Sequence, residues 1–277
     1  MVDPRPGSAA STVTAMELSD LAGQTFGPHP FQIGRLAVAD FIEVTGDDLA
    51  RWSTAAPPGF VAAALFVVAP DLLGQLTDRS ILHGEQTFAW NAPLEYRDDL
   101  MVGGTVSRVR ERGGVHFVGF DFNLSGGEES IASGTSMFLV SGDSTPTEMA
   151  EHDEPSASDD GSPGSGQVSM SRLALVRYAA ATRDFNPIHW DHGAAVDAGL
   201  PGVVVHGLAQ AAWALEVASR QAGGERPLAS AKIRFRNPLL PATPVGLIVA
   251  QTDGGVAVSV ADGAVEYLSA RVELDGG

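Results

Sequence analysis

The chain has 277 residues, with 17 Lys plus Arg against 34 Asp plus Glu, a formal charge of −17 at pH 7. That length holds one large domain or two ordinary ones, each with its own core, while the charge opposes binding to a phosphate backbone and excludes nucleic acid as the expected partner. There is no cysteine, which excludes disulfides, thiolate metal sites and a cysteine nucleophile.

Residues 1–20 read as a polar tail, without the basic start and apolar core of a secretory signal. The longest apolar run, "FVAAALFVVA" from Phe60 to Ala69, is about half of what a membrane span requires. A cytoplasmic chain with no membrane span is expected.

From 21 to 140 the sequence reads as one unit: a short helical segment near Arg51 and Trp52, a Pro-Gly start into the apolar helix "PPGFVAAALFVVA", then strands "TFAWNAPL", "GGTVSRVRER", "GVHFVGFDFNL" and "SIASGTSMFLV". Residues 141–167, "SGDSTPTEMAEHDEPSASDDGSPGSGQ", contain no basic residue and almost nothing apolar. They read as an acidic flexible linker. From 168 to 277 the first pattern returns, with a Pro-Gly start at "LPGVVVHGLAQAAWALEVA" and strands "KIRFRNPL", "VGLIVAQT", "GVAVSVAD" and "AVEYLSARVEL".

Aligning Arg51-Trp52 with Arg177-Tyr178 gives an offset of 126, and aligning Pro58-Gly59 with Pro201-Gly202 gives 143. On that alignment the second unit carries 17 extra residues (143 − 126). One long helix against a strand series is an α+β unit, and two of them suggest a fused pseudo-dimer with functional groups near the junction.

The extra residues fall within the stretch "TRDFNPIHWDHGAAVDAGLPGVVVHG", Thr182 to Gly207. Asp184 and His189 lie five apart, and Pro187 between them prevents a continuous helix, so the loop can turn both side chains toward one point. A carboxylate and an imidazole facing one water make an acid/base pair near neutral pH. Asn186 is placed to hold that water or to fix the loop. The following helix, expected to begin around Gly202 to Gly207, presents free amides, and the one near Gly207 suits an enolate-like oxygen.

Other readings of the same residues are a plain turn, with Asp191 and His192 solvated and His206 packed at the unit contact, or a metal site from Asp184, His189, His192 and His206. The spacing fits no helical two-histidine pattern, and no metal is expected.

At these residues the sequence resembles the MaoC-like, or hydratase 2, family of (R)-specific enoyl-thioester hydratases and dehydratases. The family pattern is carried by Tyr178, Asp184, Asn186, Pro187, Ile188, His189 and Ala195, with "VVVHG" at Val203 to Gly207 like the start of the family's central helix. Arg183 stands where the pattern has glycine, and offers a cation to a substrate phosphate or carboxylate.

The resemblance implies a double hot-dog, two antiparallel sheets each wrapping a central helix, with Asp184 and His189 catalytic, Asn186 supporting and the Gly207 amide on the thioester oxygen. It implies a coenzyme A or acyl carrier protein thioester as substrate and no separate cofactor, and the absence of the extra residues from the first unit leaves one site per chain. Tyr178, Arg183, His206 and the alternating Lys232, Arg234 and Arg236 are further candidates for substrate contact, the last three for coenzyme A phosphates. The helix from Phe60 to Ala69 offers a surface for an acyl tail. A hot-dog thioesterase and a non-catalytic acyl-binding subunit are the alternatives, and a homodimer is possible.

Overall fold

The computed structural model describes residues 17–76, 79–142 and 166–276. Residues 1–16 of the expected 1–20 tail and most of the expected linker, 143–165, lie outside the described residues, whereas the end of that tail enters a 3₁₀ turn and buries Leu18. After a 3₁₀ turn at Leu18–Leu21 come β1 (Thr25–Phe31), α1 (Arg35–Thr45) and a 3₁₀ turn at Leu49–Trp52. A further 3₁₀ turn at Pro58–Phe60 leads into α2 (Val61–Leu73), then β2 (Ser80–Trp90), β3 (Leu100–Arg112), β4 (Val115–Gly126) and β5 (Glu129–Ser141).

The second unit runs through β6 (Gln167–Val168), α3 (Arg172–Thr182), a 3₁₀ turn at Pro187–His189, α4 (His192–Asp197) and α5 (Gly207–Ser219). It ends with β7 (Leu228–Phe235), β8 (Val245–Thr252), β9 (Gly255–Ala261) and β10 (Glu266–Leu274).

The expected strands all form, because their apolar residues alternate with polar ones and one face of each can be buried. Ala231 and Ile233 of β7 are buried and Lys232 and Arg234 exposed. The strand order is β1-β3-β4-β5-β2-β7-β10-β9-β8-β6. Read from its middle outward, this order is a palindrome in which β2 matches β7, β5 matches β10, β4 matches β9, β3 matches β8 and β1 matches β6.

Each unit thus supplies five strands to its own α2 or α5, the four read from the sequence and a fifth, β1 or β6, at the outer edge. The expectation of two sheets needs one correction: β2 and β7 pair antiparallel, with Gln86 opposite Ile233 and Phe88 opposite Ala231, so the halves form one ten-stranded sheet. The pairing occupies the strand edge that each unit would otherwise leave open.

The helix between the two expected starts also needs correction. The counterpart of α3 is α1, which the sequence reading did not assign, and not the segment at Arg51. Thr45 and Thr182 each return a hydroxyl hydrogen bond of 2.8 Å to the carbonyl four residues earlier, on Phe41 and Tyr178. Gly46 and Arg183 each end their helix in the left-handed conformation, at φ 77° and 67°. Phe41 and Tyr178 meet where α1 packs on α3, with ring centroids 5.8 Å apart.

The offset over this stretch is therefore 137 (182 − 45), which places Asp47 opposite Asp184 and Trp52 opposite His189. Only six residues (143 − 137) are extra in the second unit, the length of α4. The first unit keeps a carboxylate and has an indole in place of the imidazole: Trp52 Nε1 donates to Asp47 Oδ2 at 2.7 Å, and Arg51 Nη1 donates to Asp47 Oδ1 at 3.2 Å.

Helix α2 is apolar from Val61 to Ala69, and Val61 to Leu65 belong to the common core, sharing it with Phe41 and Phe60, whose rings meet edge-on at 5.5 Å. The surface expected to receive an acyl tail is thus occupied by the protein's own side chains.

Candidate active site

Helix α3 is capped by Ser171, whose hydroxyl accepts from the Ala174 amide at 3.2 Å, and it ends at Arg183, whose amide donates to the Ala179 carbonyl at 2.7 Å. The left-handed turn at Arg183 swings the chain off the helix axis and drops Asp184 into the interior. Pro187 then opens a single 3₁₀ turn that returns His189 to the same depth. The Asp184 and His189 side chains are each 8 % exposed, with His189 Nε2 4.0 Å from Asp184 Oδ2. That gap exceeds a direct hydrogen bond, and suits two groups addressing a third atom.

Backbone carbonyls fix the imidazole tautomers. His189 Nδ1 lies 2.8 Å from the Val204 carbonyl, which can only accept, so Nδ1 carries the hydrogen and Nε2 presents its lone pair toward Asp184. His206 Nε2 lies 3.2 Å from the main-chain oxygen of Asp184 and, by the same reasoning, donates. The two imidazoles stack, with centroids 3.8 Å apart and 24° between planes, and Tyr178 covers the other side of His206 at 4.8 Å.

Burial sets the electrostatics. Desolvation raises the Asp184 carboxyl above the usual carboxylate range, against the opposing effects of His189 and the Asn186 amide. Desolvation, reinforced by His189, holds His206 well below the ordinary imidazole value, and burial beside Asp184 pushes the Tyr178 phenol well above its own. His206 is therefore a neutral ring at physiological pH. Tyr178 Oη, His206 Nδ1 and Gln210 Oε1, one turn along α5, are buried without protein partners among the described residues.

Helix α5 begins at Gly207, the far end of the expected Gly202 to Gly207 span; before it the Val204 amide bonds the Ile188 carbonyl and the Val205 amide the Leu239 carbonyl. His206 is the N-cap residue but caps no amide with its side chain, so the first-turn amide of Gly207 has no side-chain acceptor from the cap. A methyl group at Gly207 would come within 2.9 Å of the Phe235 ring. Asn186 is exposed, its Oδ1 accepting from the Ile188 amide at 3.4 Å at the start of the 3₁₀ turn. It shapes the loop, and its own amide approaches Asp184 Oδ1 at 3.5 Å.

Of the four residues weighed as metal ligands, Asp184, His189 and His206 offer atoms within 4.8 Å of one another, whereas His192 is exposed at the start of α4. Nearly parallel stacked rings hold their in-plane lone pairs in separate planes, which does not suit convergence on one ion. Asp191 caps α4 by accepting from the Ala194 amide at 2.9 Å.

The MaoC-like domain model matches residues 159–271, the segment that contains this whole arrangement. Residues 159–271 thus belong to the MaoC-like family. A curated relative, 3-hydroxyacyl-thioester dehydratase X of Mycobacterium tuberculosis, is 27 % identical over 264 residues, which is 90 % of this MaoC-like chain and 88 % of the relative. The crystal structure of HtdX of Mycobacterium tuberculosis superposes with a TM-score of 0.71 at 24 % identity, covering 90 % of this chain and 99 % of that one. A second Mycobacterium tuberculosis structure, described as having a double hot-dog fold, gives 0.60 at 13 % identity, covering 91 % and 96 %. These likenesses establish the fold.

Within this MaoC-like chain the remaining candidates are not gathered at the site. Lys232 and Arg234 lie on the sheet face opposite the buried Ile233 and both bind Glu85, at 3.0 Å each, while Arg236 binds Glu266 at 2.6 Å. Arg183 is exposed immediately beside Asp184. Sequence reasoning missed the Val204 carbonyl, which selects the His189 tautomer, and Phe235, which packs where a Gly207 side chain would go. A main-chain acceptor leaves no mark in residue identity, and Phe235 reads as an ordinary strand residue.

Proposed function

We propose that this MaoC-like protein is a hydratase/dehydratase that adds water to trans-2-enoyl thioesters and removes it from (R)-3-hydroxyacyl thioesters, with coenzyme A as the thiol and no further cofactor. The observation that carries the reading is the buried Asp184–His189 pair at 4.0 Å, with the Nε2 lone pair turned toward the carboxyl. The family and the named dehydratase relative supply the general reaction class.

In hydration, one member of the pair takes a proton from water as the oxygen bonds C3. The π electrons pass toward the thioester oxygen, where the Gly207 amide stabilises the enolate. The enolate collapses as C2 takes a proton from the other member, and a proton passing back across the pair restores it. The carboxyl of Asp184 and the imidazole of His189 put two proton-transferring groups in one place. Coenzyme A suits the chain better than an acyl carrier protein, because a surface with a net charge of −17 repels an acidic partner.

The test follows the enoyl absorbance of crotonyl-coenzyme A together with product chirality and free thiol. Loss of the band with an (R)-3-hydroxy product and no thiol supports the assignment. Thiol release with the enoyl group intact makes the protein a thioesterase instead.

A further inference from the structure

The molecule contains its own control for one residue. At the end of α1, where the first unit has an indole in place of the imidazole, the left-handed position is Gly46 at φ 77°. At the matching end of α3 it is Arg183 at φ 67°, next to Asp184. Among the described residues only Arg183 and Ala242 hold a positive φ without being glycine. For a side chain with a Cβ this conformation is disfavoured by about 1–2 kcal/mol, so the unit with the paired acid and imidazole keeps a residue that its backbone geometry does not favour. An outlier of this kind beside reacting groups points to use.

Three further observations say what the use is. Arg183 is exposed, and no hydrogen bond or ion pair involves its guanidinium among the described residues, unlike Arg177 on the same helix, which binds Glu43 at 2.7 Å. It is the only Lys or Arg between Tyr178 and Ser219, the whole segment that builds the site, in a strongly acidic chain. The exposed aromatics Phe185 (59 %) and Trp190 (51 %) accompany it on the same loop.

Resting on the proposed thioester reaction, we infer that Arg183 is the contact for a phosphate on the thiol carrier of the substrate. A guanidinium binds phosphate with charge-assisted hydrogen bonds. Placed one residue from Asp184 and exposed, it holds the carrier at the protein surface while the acyl end reaches the buried pair. Lys232, Arg234 and Arg236, engaged with Glu85 and Glu266, are not needed for that task.

The experiment compares wild type with Arg183→Gly, which restores the residue that Gly46 already shows to be compatible with this turn. Crotonyl thioesters of coenzyme A, 4′-phosphopantetheine and phosphate-free pantetheine serve as substrates, and calorimetric titration with coenzyme A gives a readout independent of turnover. The expected result is a drop of about five- to twenty-fold in kcat/KM on the coenzyme A thioester, with pantetheine unchanged and the melting temperature equal or higher. Arg183→Lys recovers part of the loss.

A drop shared by the phosphopantetheine thioester places the contact on the phosphate that coenzyme A and carrier proteins have in common. A drop confined to coenzyme A places it on the nucleotide phosphates. An equal change on all three thioesters, or none, with unaltered coenzyme A binding, overturns the assignment. A wild type that binds coenzyme A but turns over no thioester overturns the proposed reaction and leaves Arg183 to be decided by the titration.

Discussion

Asp184 occupies a place where its charged form is disfavoured, and the cost falls on the folded state. A carboxyl whose folded value is raised contributes stability below its unfolded value, near 3.8, and loses it as pH rises through the folded value. Asp184→Asn, which preserves shape and the acceptor facing the Asn186 amide, is therefore expected to stabilise the protein at pH 7 by on the order of 1 kcal/mol. The gain disappears near pH 3.5. Denaturant midpoints at the two pH values check this, and a variant less stable than wild type at pH 7 would show that the carboxylate is needed by the fold rather than tolerated for chemistry.

At the scale of elements, the site depends on how α5 meets β7. Phe235 fills the space where Gly207 would carry a Cβ and meets His83 at a tilt of 54°, with ring centroids 4.8 Å apart. Gly207→Ala must push that ring aside, at a cost of about 1–3 kcal/mol, and it moves the first-turn amide with it. Reduced turnover with a lowered denaturant midpoint is expected; a variant with both unchanged would separate Gly207 from the oxyanion role.

The strands from β2 to β5 and β7 to β10 were legible because each repeats a two-residue alternation between turn residues. The Asp184–His189 pair was legible because Pro187 fixes the turn between them. Helix α1 escaped notice because its sequence, "RLAVADFIEVT", has no Pro-Gly start to announce it. The misplaced repeat offset followed from that, and it hid Asp47 and Trp52 as the counterparts of the pair. The edge pairing of β2 with β7 has no local sequence signal at all, since it rests on which edges remain open after each unit has folded.

For the whole molecule, the palindromic sheet and the contact of Phe41 with Tyr178 make the two units one hydrophobic body. A ladder of rings, Phe60, Phe41, Tyr178, His206 and His189, runs from the first unit's core to the imidazole beside Asp184. Among the described residues, no helix is long and apolar enough to cross a membrane.

Burial also makes the body sensitive to acid. His206 is held well below 6.5 and His83 is pushed down to about 4, both mainly by desolvation. Groups with lowered folded values contribute stability above their unfolded value, and that stability is lost as pH falls through 6.5 toward the folded value. From His206 alone the loss between pH 7 and pH 5 reaches up to about 2 kcal/mol. In His206→Gln this pH-dependent loss is expected to be smaller than in wild type by about that amount. Equal pH dependence in the two proteins would show that His206 does not stay neutral in the fold.

The central claim is that a buried acid and imidazole, fixed by a left-handed turn and a main-chain acceptor, act together on one water. Its most direct test is the initial rate of crotonyl-coenzyme A hydration by wild type, Asp184→Asn and His189→Ala, each verified as folded. The account predicts conversion to the (R)-3-hydroxy product by wild type and a fall of at least about 100-fold in each variant. Wild-type rates in either folded variant would contradict it.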